Sequence, residues 1–137
     1  MKKHLIIVVA AAIGLMTLSS CETTNVYPNT SKSFIYTVNA NQWVDHEFWF
    51  SHTLNLPELT DYYVKQGNVS VAISFNDEDS YTILPATFDG VSYWVNYSQG
   101  QVIIYGEDPL FDENILIPIP QERVTVKIVL TETDYIE

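Results

Sequence analysis

From Ser33 onward the apolar residues of this chain recur at every second position, and a period of two commits a chain to strands with one buried face. Phe34, Tyr36 and Val38 alternate with Ser33, Ile35 and Thr37. Asn39-Ala40-Asn41 then turns the chain into a longer strand, Trp43 to Leu54, whose even positions Val44, Phe48, Phe50 and Leu54 are apolar. Val69, Val71, Ile73 and Phe75 form one face of a third strand, with Ser70, Ala72 and Ser74 on the other. Near the end, Val124, Val126, Ile128 and Leu130 face inward while Thr125, Lys127 and Thr131 face outward. Strands of this kind need a second layer to cover the apolar side.

The turns support the same architecture. Asp89-Gly90, between Thr87-Phe88 and Val91-Ser92, is the strongest local signal, because both central positions of a type I′ turn need positive φ. Ser98 to Gln101 turns the chain again, into Val102 to Tyr105, which is apolar at every position and therefore expected to be central or covered on both sides. Pro85 follows Tyr81 to Leu84 and predicts an edge, a bulge or a break, since it donates no ladder hydrogen bond. Pro57 to Gly67 carries helix punctuation: Thr60 as cap, Leu59 and Val64 as a hydrophobic staple, Gly67 as a left-handed stop. The segment Glu107 to Gln121, with three prolines, reads as an ordered loop or short edge segment. The expectation is all-β: an antiparallel β-sandwich of about seven strands with one short helical segment.

The first twenty residues stand apart. Met1-Lys2-Lys3-His4 is positive, Leu5 to Met16 is an unbroken run of apolar residues and glycine, and Leu18-Ser19-Ser20 leads to Cys21, the only cysteine. Twelve residues are too few for a bilayer-crossing helix, which needs ~20, and the flanks are those of a cleaved signal. The arrangement resembles the lipobox of bacterial lipoproteins. That resemblance implies cleavage between Ser20 and Cys21, a diacylglycerol on the Cys21 thiol, and a membrane partner reached through the lipid. It divides the chain into a signal peptide at 1–20, a lipidated Cys with a polar flexible tether at 21–32, and one domain at 33–137. After cleavage no second membrane device is needed, since acyl chains bind at ~0.8 kcal/mol per buried CH₂.

Charge narrows the partners. The whole chain carries −11, and losing Lys2 and Lys3 takes this to −13, so it repels phosphate backbones and no nucleic-acid partner is expected. With Cys21 acylated no thiol remains for a disulfide, a thiolate metal site or nucleophilic catalysis.

The order Leu59-Thr60-Asp61, Gly67-Asn68-Val69, Leu84-Pro85, an aromatic strand, then Gly100-Gln101-Val102-Ile103-Ile104 resembles small lipoproteins of Bacteroidetes bacteria over Phe48 to Leu130. Those proteins commonly have Trp just before the Leu-Pro pair, where this chain has Tyr81 and Ile83. The resemblance implies a β-rich envelope domain, most simply on the outer membrane, and carries no activity with it.

Few residues suggest chemistry. His46 and His52, on one face of the Trp43 to Leu54 strand, would lie about 20 Å apart and could not share a metal. Asp77 and Asp79 are weak calcium candidates in an acidic turn, as are the pairs Glu107-Asp108 and Asp112-Glu113, but no EF-hand spacing occurs. No cofactor is indicated. The sequence holds no G-x-S-x-G elbow, H-E-x-x-H or phosphate loop, so a non-catalytic reading is preferred. A small hydrolase with a glycosidase-type carboxylate pair is the alternative, and a structural accessory of an envelope complex is a third reading. Trp49 and Trp94 fall on the polar faces of their strands, with Asn96 beside Trp94. Aromatic rings among amides can stack on a sugar or hold a protein partner, which makes Trp49, Trp94 and Asn96 the candidate ligand-binding residues. The competing use of such rings is cross-strand packing.

Overall fold

A computed structural model describes residues 30–134. The signal peptide, Cys21 and residues 22–29 of the tether lie outside the described residues, as do the last three. Among the described residues, nine strands form two antiparallel sheets. In chain order they are β1 (Ser31–Val38), β2 (Val44–Asp45), β3 (Trp49–Asn55), β4 (Asn68–Ser74), β5 (Thr82–Ile83), β6 (Ala86–Phe88), β7 (Val91–Ser98), β8 (Gln101–Glu107) and β9 (Val124–Thr131). One 3-10 turn (Ala40–Gln42) and one short helix, α1 (Asp61–Lys65), complete the list. The four-stranded sheet runs β1-β9-β4-β5 and the five-stranded sheet β2-β3-β8-β7-β6. This is the expected all-β sandwich, with more and shorter strands at its edges.

The alternation read from the sequence becomes the core. Val38, Val71, Ile73, Val124, Val126, Ile128 and Leu130 of one sheet meet Phe50, Leu54, Val91, Tyr93, Val102 and Ile104 of the other, and all are buried. Burying each Val, Leu, Ile or Phe is worth roughly 1.5–3 kcal/mol. Leu56 and Leu59 are fully buried where the β7–β8 hairpin tip meets the chain between β3 and α1. There Leu56 N–H donates to Gly100 O and Gly100 N–H to Leu59 O, each at 2.8 Å. Gly100, at φ 81, gives that tip its left-handed residue.

Asp89 and Gly90 have φ of 48° and 76°, and Phe88 pairs with Val91, so the expected hairpin forms. Pro85 lies between β5 and β6, which belong to different sheets. It marks the break where the chain crosses from the edge of one layer to the edge of the other. β8 is central in its sheet, as its unbroken apolar run suggested, but its outer face is not covered: Ile103 and Tyr105 are half-buried.

Four expectations are corrected. The strand β1 begins at Ser31, so Ser31 and Lys32 belong to the domain and the tether ends earlier. Trp43 to Leu54 is not one strand but a hairpin, β2 and β3, with Val44 opposite Ser51 and Asp45 opposite Phe50. The reversal is closed by His46 N–H, which donates to Trp49 O at 2.8 Å, and shaped by Asp45 Oδ1, which accepts Glu47 N–H at 2.8 Å while Glu47 takes φ 78; an aspartate can build such a turn without glycine. Gly67 is not left-handed. Its backbone lies against Tyr63 and the Thr131 carbonyl, where an added Cβ would stand 2.7 Å from Tyr63 Cδ1 and 3.0 Å from Thr131 O. Finally, Thr60 is the N-cap residue of α1 but makes no side-chain capping bond. The helix is held by its neighbours: Tyr63 is buried, and Tyr62 OH donates to Thr133 O at 2.8 Å while accepting from Thr133 N–H at 3.1 Å.

Candidate functional site

The outer face of the five-stranded sheet carries the candidate residues, and strand pairing explains why they meet. Trp94 on β7 is directly opposite Tyr105 on β8, which is in turn opposite Ser51 on β3. Side chains of paired residues stand side by side on one face. Trp94 and Tyr105 therefore stack, with centroids 4.0 Å apart and planes 11° from parallel. Trp49, opposite Glu107 and so diagonal to Tyr105, reaches that ring at 5.8 Å with a 39° tilt. The turn after β2 then lays His46 flat on Trp49, at 3.6 Å and 12°. His46 Nε2 and Ser51 Oγ share a hydrogen bond of 3.1 Å that fixes the imidazole.

Four rings from three strands and a turn thus form one row, His46, Trp49, Tyr105 and Trp94. Trp49 is 37% exposed and Trp94 and Tyr105 are half-buried. Asn96, two residues beyond Trp94 and opposite Ile103, is exposed on the same face. The three residues named from the sequence lie on this outer face: Tyr105 links Trp49 to Trp94, and Asn96 stands four positions along β7 from the level of Trp49. Stacking consumes ring faces, however: His46 covers one face of Trp49, and Tyr105 covers one face of Trp94. The surface therefore offers ring edges together with the outer faces of the two end rings. Trp94 Nε1 is shielded from solvent and has no hydrogen-bond partner among the described residues.

A hollow of about 200 Å³ adjoins the Trp49 end of the row. Phe48, Trp49 and Phe111 supply its apolar wall, and Glu107, Asp108, Asp112 and Glu113 its polar one. Two of those carboxylates are committed to the loop. Asp108 Oδ2 accepts Leu110 N–H at 2.8 Å and Asp112 N–H at 3.1 Å. Asp112 Oδ1 accepts both the backbone and side-chain N–H of Asn114, at 2.9 and 2.8 Å, and these bonds hold its carboxyl below the usual aspartate range.

The two histidines are not on one face, because the stretch that carried both as a single strand is a hairpin. His46 is outside on Trp49, whereas His52 lies against Trp43 and donates Nδ1–H to Gln42 O at 2.9 Å. Asp77 and Asp79 sit in a turn built by Asn76 and Ser74, and Asp77 Oδ1 is paired with Arg123 at 2.8 Å. Among the described residues no group of three or more His, Cys, Asp or Glu is placed to hold a metal. Tyr105 and His46 are the members of the ring row that sequence reasoning missed. Tyr105 was hidden in an apolar run, and His46 was placed in a strand by an alternation that continues through the turn. No family model, curated protein or solved structure matches the chain, so the functional reading rests on this geometry.

Proposed function

We propose that this chain is a lipid-anchored lipoprotein of the bacterial envelope, attached through Cys21, whose β-sandwich is a non-catalytic binding module. The observation that carries the binding role is the row His46, Trp49, Tyr105 and Trp94, left open on the outside of a sheet whose other face is the core. Aromatic surface is costly to expose and is the chief source of contact energy in ligand and partner recognition. Asn96 and the half-buried Ser51 and Ser92 stand between and beside the rings, and they supply the hydrogen-bonding groups that fix a polar ligand. The anchor reading draws on the sequence of residues 1–21.

A second reading, the small hydrolase, draws on the acidic hollow beside Trp49. It is the weaker of the two. A general acid needs a carboxyl whose pKa is raised, and Asp112 is shifted the other way while Asp108 is occupied by two amides.

The binding reading is tested by exposing the protein to a glycan array and to envelope extracts, beside Trp49→Ala and Asn96→Ala proteins. Retention of a glycan or an envelope protein by the parent, lost in both variants, is the expected result. Silence of the parent in both assays overturns the module in its ligand-binding form. The anchor is tested separately: palmitate labelling of the parent that persists in Cys21→Ser would overturn lipidation at that residue.

A further inference from the structure

The two sheets have four edges, and three are blunted. β2 and β5 are two residues long, and β6 is three residues long and follows Pro85. Short strands and proline are the usual protection against unwanted pairing. β1 is different. It is eight residues long, contains no proline or glycine, and pairs with β9 in unbroken register from Ser31 to Val38. Among the described residues no strand lies along its other side. In an antiparallel ladder alternate residues aim their N–H and C=O away from the paired neighbour, so an edge strand of this kind presents a row of groups ready to pair.

We propose that β1 is a self-association edge: two copies of this chain pair β1 to β1 antiparallel about a two-fold axis at Ile35, joining their four-stranded sheets into one.

The occupant follows from the side chains. For the two sandwiches to keep their cores on one side of the joined sheet, each residue must oppose one of the same parity, because side chains alternate faces. With Ile35 on the axis, Ile35 meets Ile35 of the second copy, Phe34 meets Tyr36, and Ser33 meets Thr37. Over these central positions the apolar and aromatic side chains meet one another and the Ser33 hydroxyl meets that of Thr37, while at the ends Val38 meets the aliphatic stem of Lys32. An aromatic pair across strands is worth roughly 0.2–1 kcal/mol. Ile35 is 51% exposed on an otherwise polar outer face, and this pairing covers it.

Charge favours the same edge. The chain is strongly acidic, with seventeen Asp and Glu, and two copies repel over most of their surface. β1 and its neighbour β9 contain no acidic residue; their charged residues are Lys32 and Lys127. In the proposed register Lys32 faces Val38 of the second copy, so no like charges are opposed. Two such molecules approach with least repulsion here.

A single strand pair is small beside the ~1,600 Å² of a standard interface, so a covalent trap reads it best. The full chain in mild detergent, with Cys21→Ser so that no native thiol remains, is given Ile35→Cys or, separately, Thr37→Cys. Paired strands bring Cα atoms of residue 35 to about 4.5–5.5 Å, inside the range a disulfide spans. Two copies of residue 37 would be offset by four positions, about 13 Å along the strand, and outside that range. Under mild oxidation the expected result is a disulfide dimer for Ile35→Cys, at least tenfold over Thr37→Cys. A dimer at both positions, or a monomer at residue 35 whose thiol still reacts with a small alkylating reagent, overturns the proposal. Because Cys21 is replaced throughout, the outcome does not depend on lipid attachment or on the ligand-binding reading. Ile35→Lys tests the same edge without a new thiol: sedimentation should show the parent's dimer weakened by tenfold or more, with an unchanged circular dichroism spectrum. A folded Ile35→Lys protein that dimerises like the parent, or a parent that sediments as a monomer, would also overturn it.

Discussion

The Phe50 ring lies across the backbone of Gly106 on the neighbouring strand, so close that a Cβ at residue 106 would stand 2.2 Å from Phe50 Cζ. The two residues are direct partners in the β3–β8 ladder. Gly106 therefore acts as a floor for the largest fully buried side chain, a ring that also meets Tyr93 at 5.9 Å and Trp43 at 5.2 Å, both edge to face. A methyl group at this position must push Phe50 off its rotamer in a packed interior, and overpacking of that sort costs roughly 1–3 kcal/mol. Gly106→Ala is expected to lose that much stability in urea unfolding. A variant as stable as the parent would show that the ring has room to move.

Gly67 and Gly90 are glycines for different reasons, and substitution separates them. Gly90 has φ +76 and an added Cβ would find nothing within 4 Å, so its requirement is the backbone alone. Gly90→Asn should be nearly neutral, because Asn tolerates left-handed φ, whereas Gly90→Ala should cost about 1 kcal/mol. Gly67 has no left-handed φ, but a Cβ there meets Tyr63 Cα at 2.9 Å and Thr131 O at 3.0 Å. Those atoms are backbone and cannot rotate away, so Gly67→Asn and Gly67→Ala should be equally damaging, by roughly 1–3 kcal/mol. Melting of the four variants gives the comparison. Relief of the loss by Asn at residue 67 would contradict the steric account.

These glycines also show where legibility from sequence stops. The period of two revealed the core because burial acts on each residue separately: Val124, Val126, Ile128 and Leu130 needed no partner to be recognised. Asp89-Gly90 was equally legible, since φ is local. The reversal at Glu47 was not. Val44, Phe48 and Phe50 keep the same parity through it, and the bonds that hold the turn, from Glu47 N–H to Asp45 and from His46 N–H to Trp49 O, need no glycine or proline to mark it. Gly67 looked like a helix stop because close approach to Thr131, sixty-four positions away, leaves no mark on neighbouring residues. The candidate site was half legible for the same reason. Trp49, Trp94 and Asn96 could be assigned to an outer face, but only sheet order places Tyr105 between the two tryptophans.

The stack itself has a stability consequence that distinguishes it from a set of independent rings. Trp94 and Tyr105 touch face to face at 4.0 Å, and aromatic pairs are worth about 0.5–1.5 kcal/mol beyond their buried area. A double-mutant cycle with Trp94→Ala and Tyr105→Ala should return a coupling energy in that range. Asn96→Ala, on the same face but outside the stack, should leave stability within ~0.5 kcal/mol of the parent. A coupling near zero would mean that the rings are held by the sheet and contribute nothing to each other.

Alkaline pH probes the core through Tyr93. The side chain is 4% exposed, and burial, aided by the negative charge of Asp89, pushes its phenol up to about 12. Tyr81 is raised to about 12 by a different cause: its hydroxyl donates to Glu78 Oε1 at 2.6 Å. In the unfolded chain a tyrosine ionises near pH 10. Below pH 10 both states keep their protons and stability does not depend on these groups. Between about pH 10 and 12 the unfolded state has lost protons that the folded state still holds, so unfolding becomes easier as pH rises. The stabilising preference for the neutral phenol is therefore complete below pH 10 and lost by about pH 12. Denaturant midpoints should stay level from pH 8 to pH 9.5 and then fall. Tyr93→Phe has no phenol to ionise at this position, so its midpoints should fall less steeply than the parent's over the same interval. If the two proteins lose stability in parallel, the buried Tyr93 phenol is not what the alkaline transition reports.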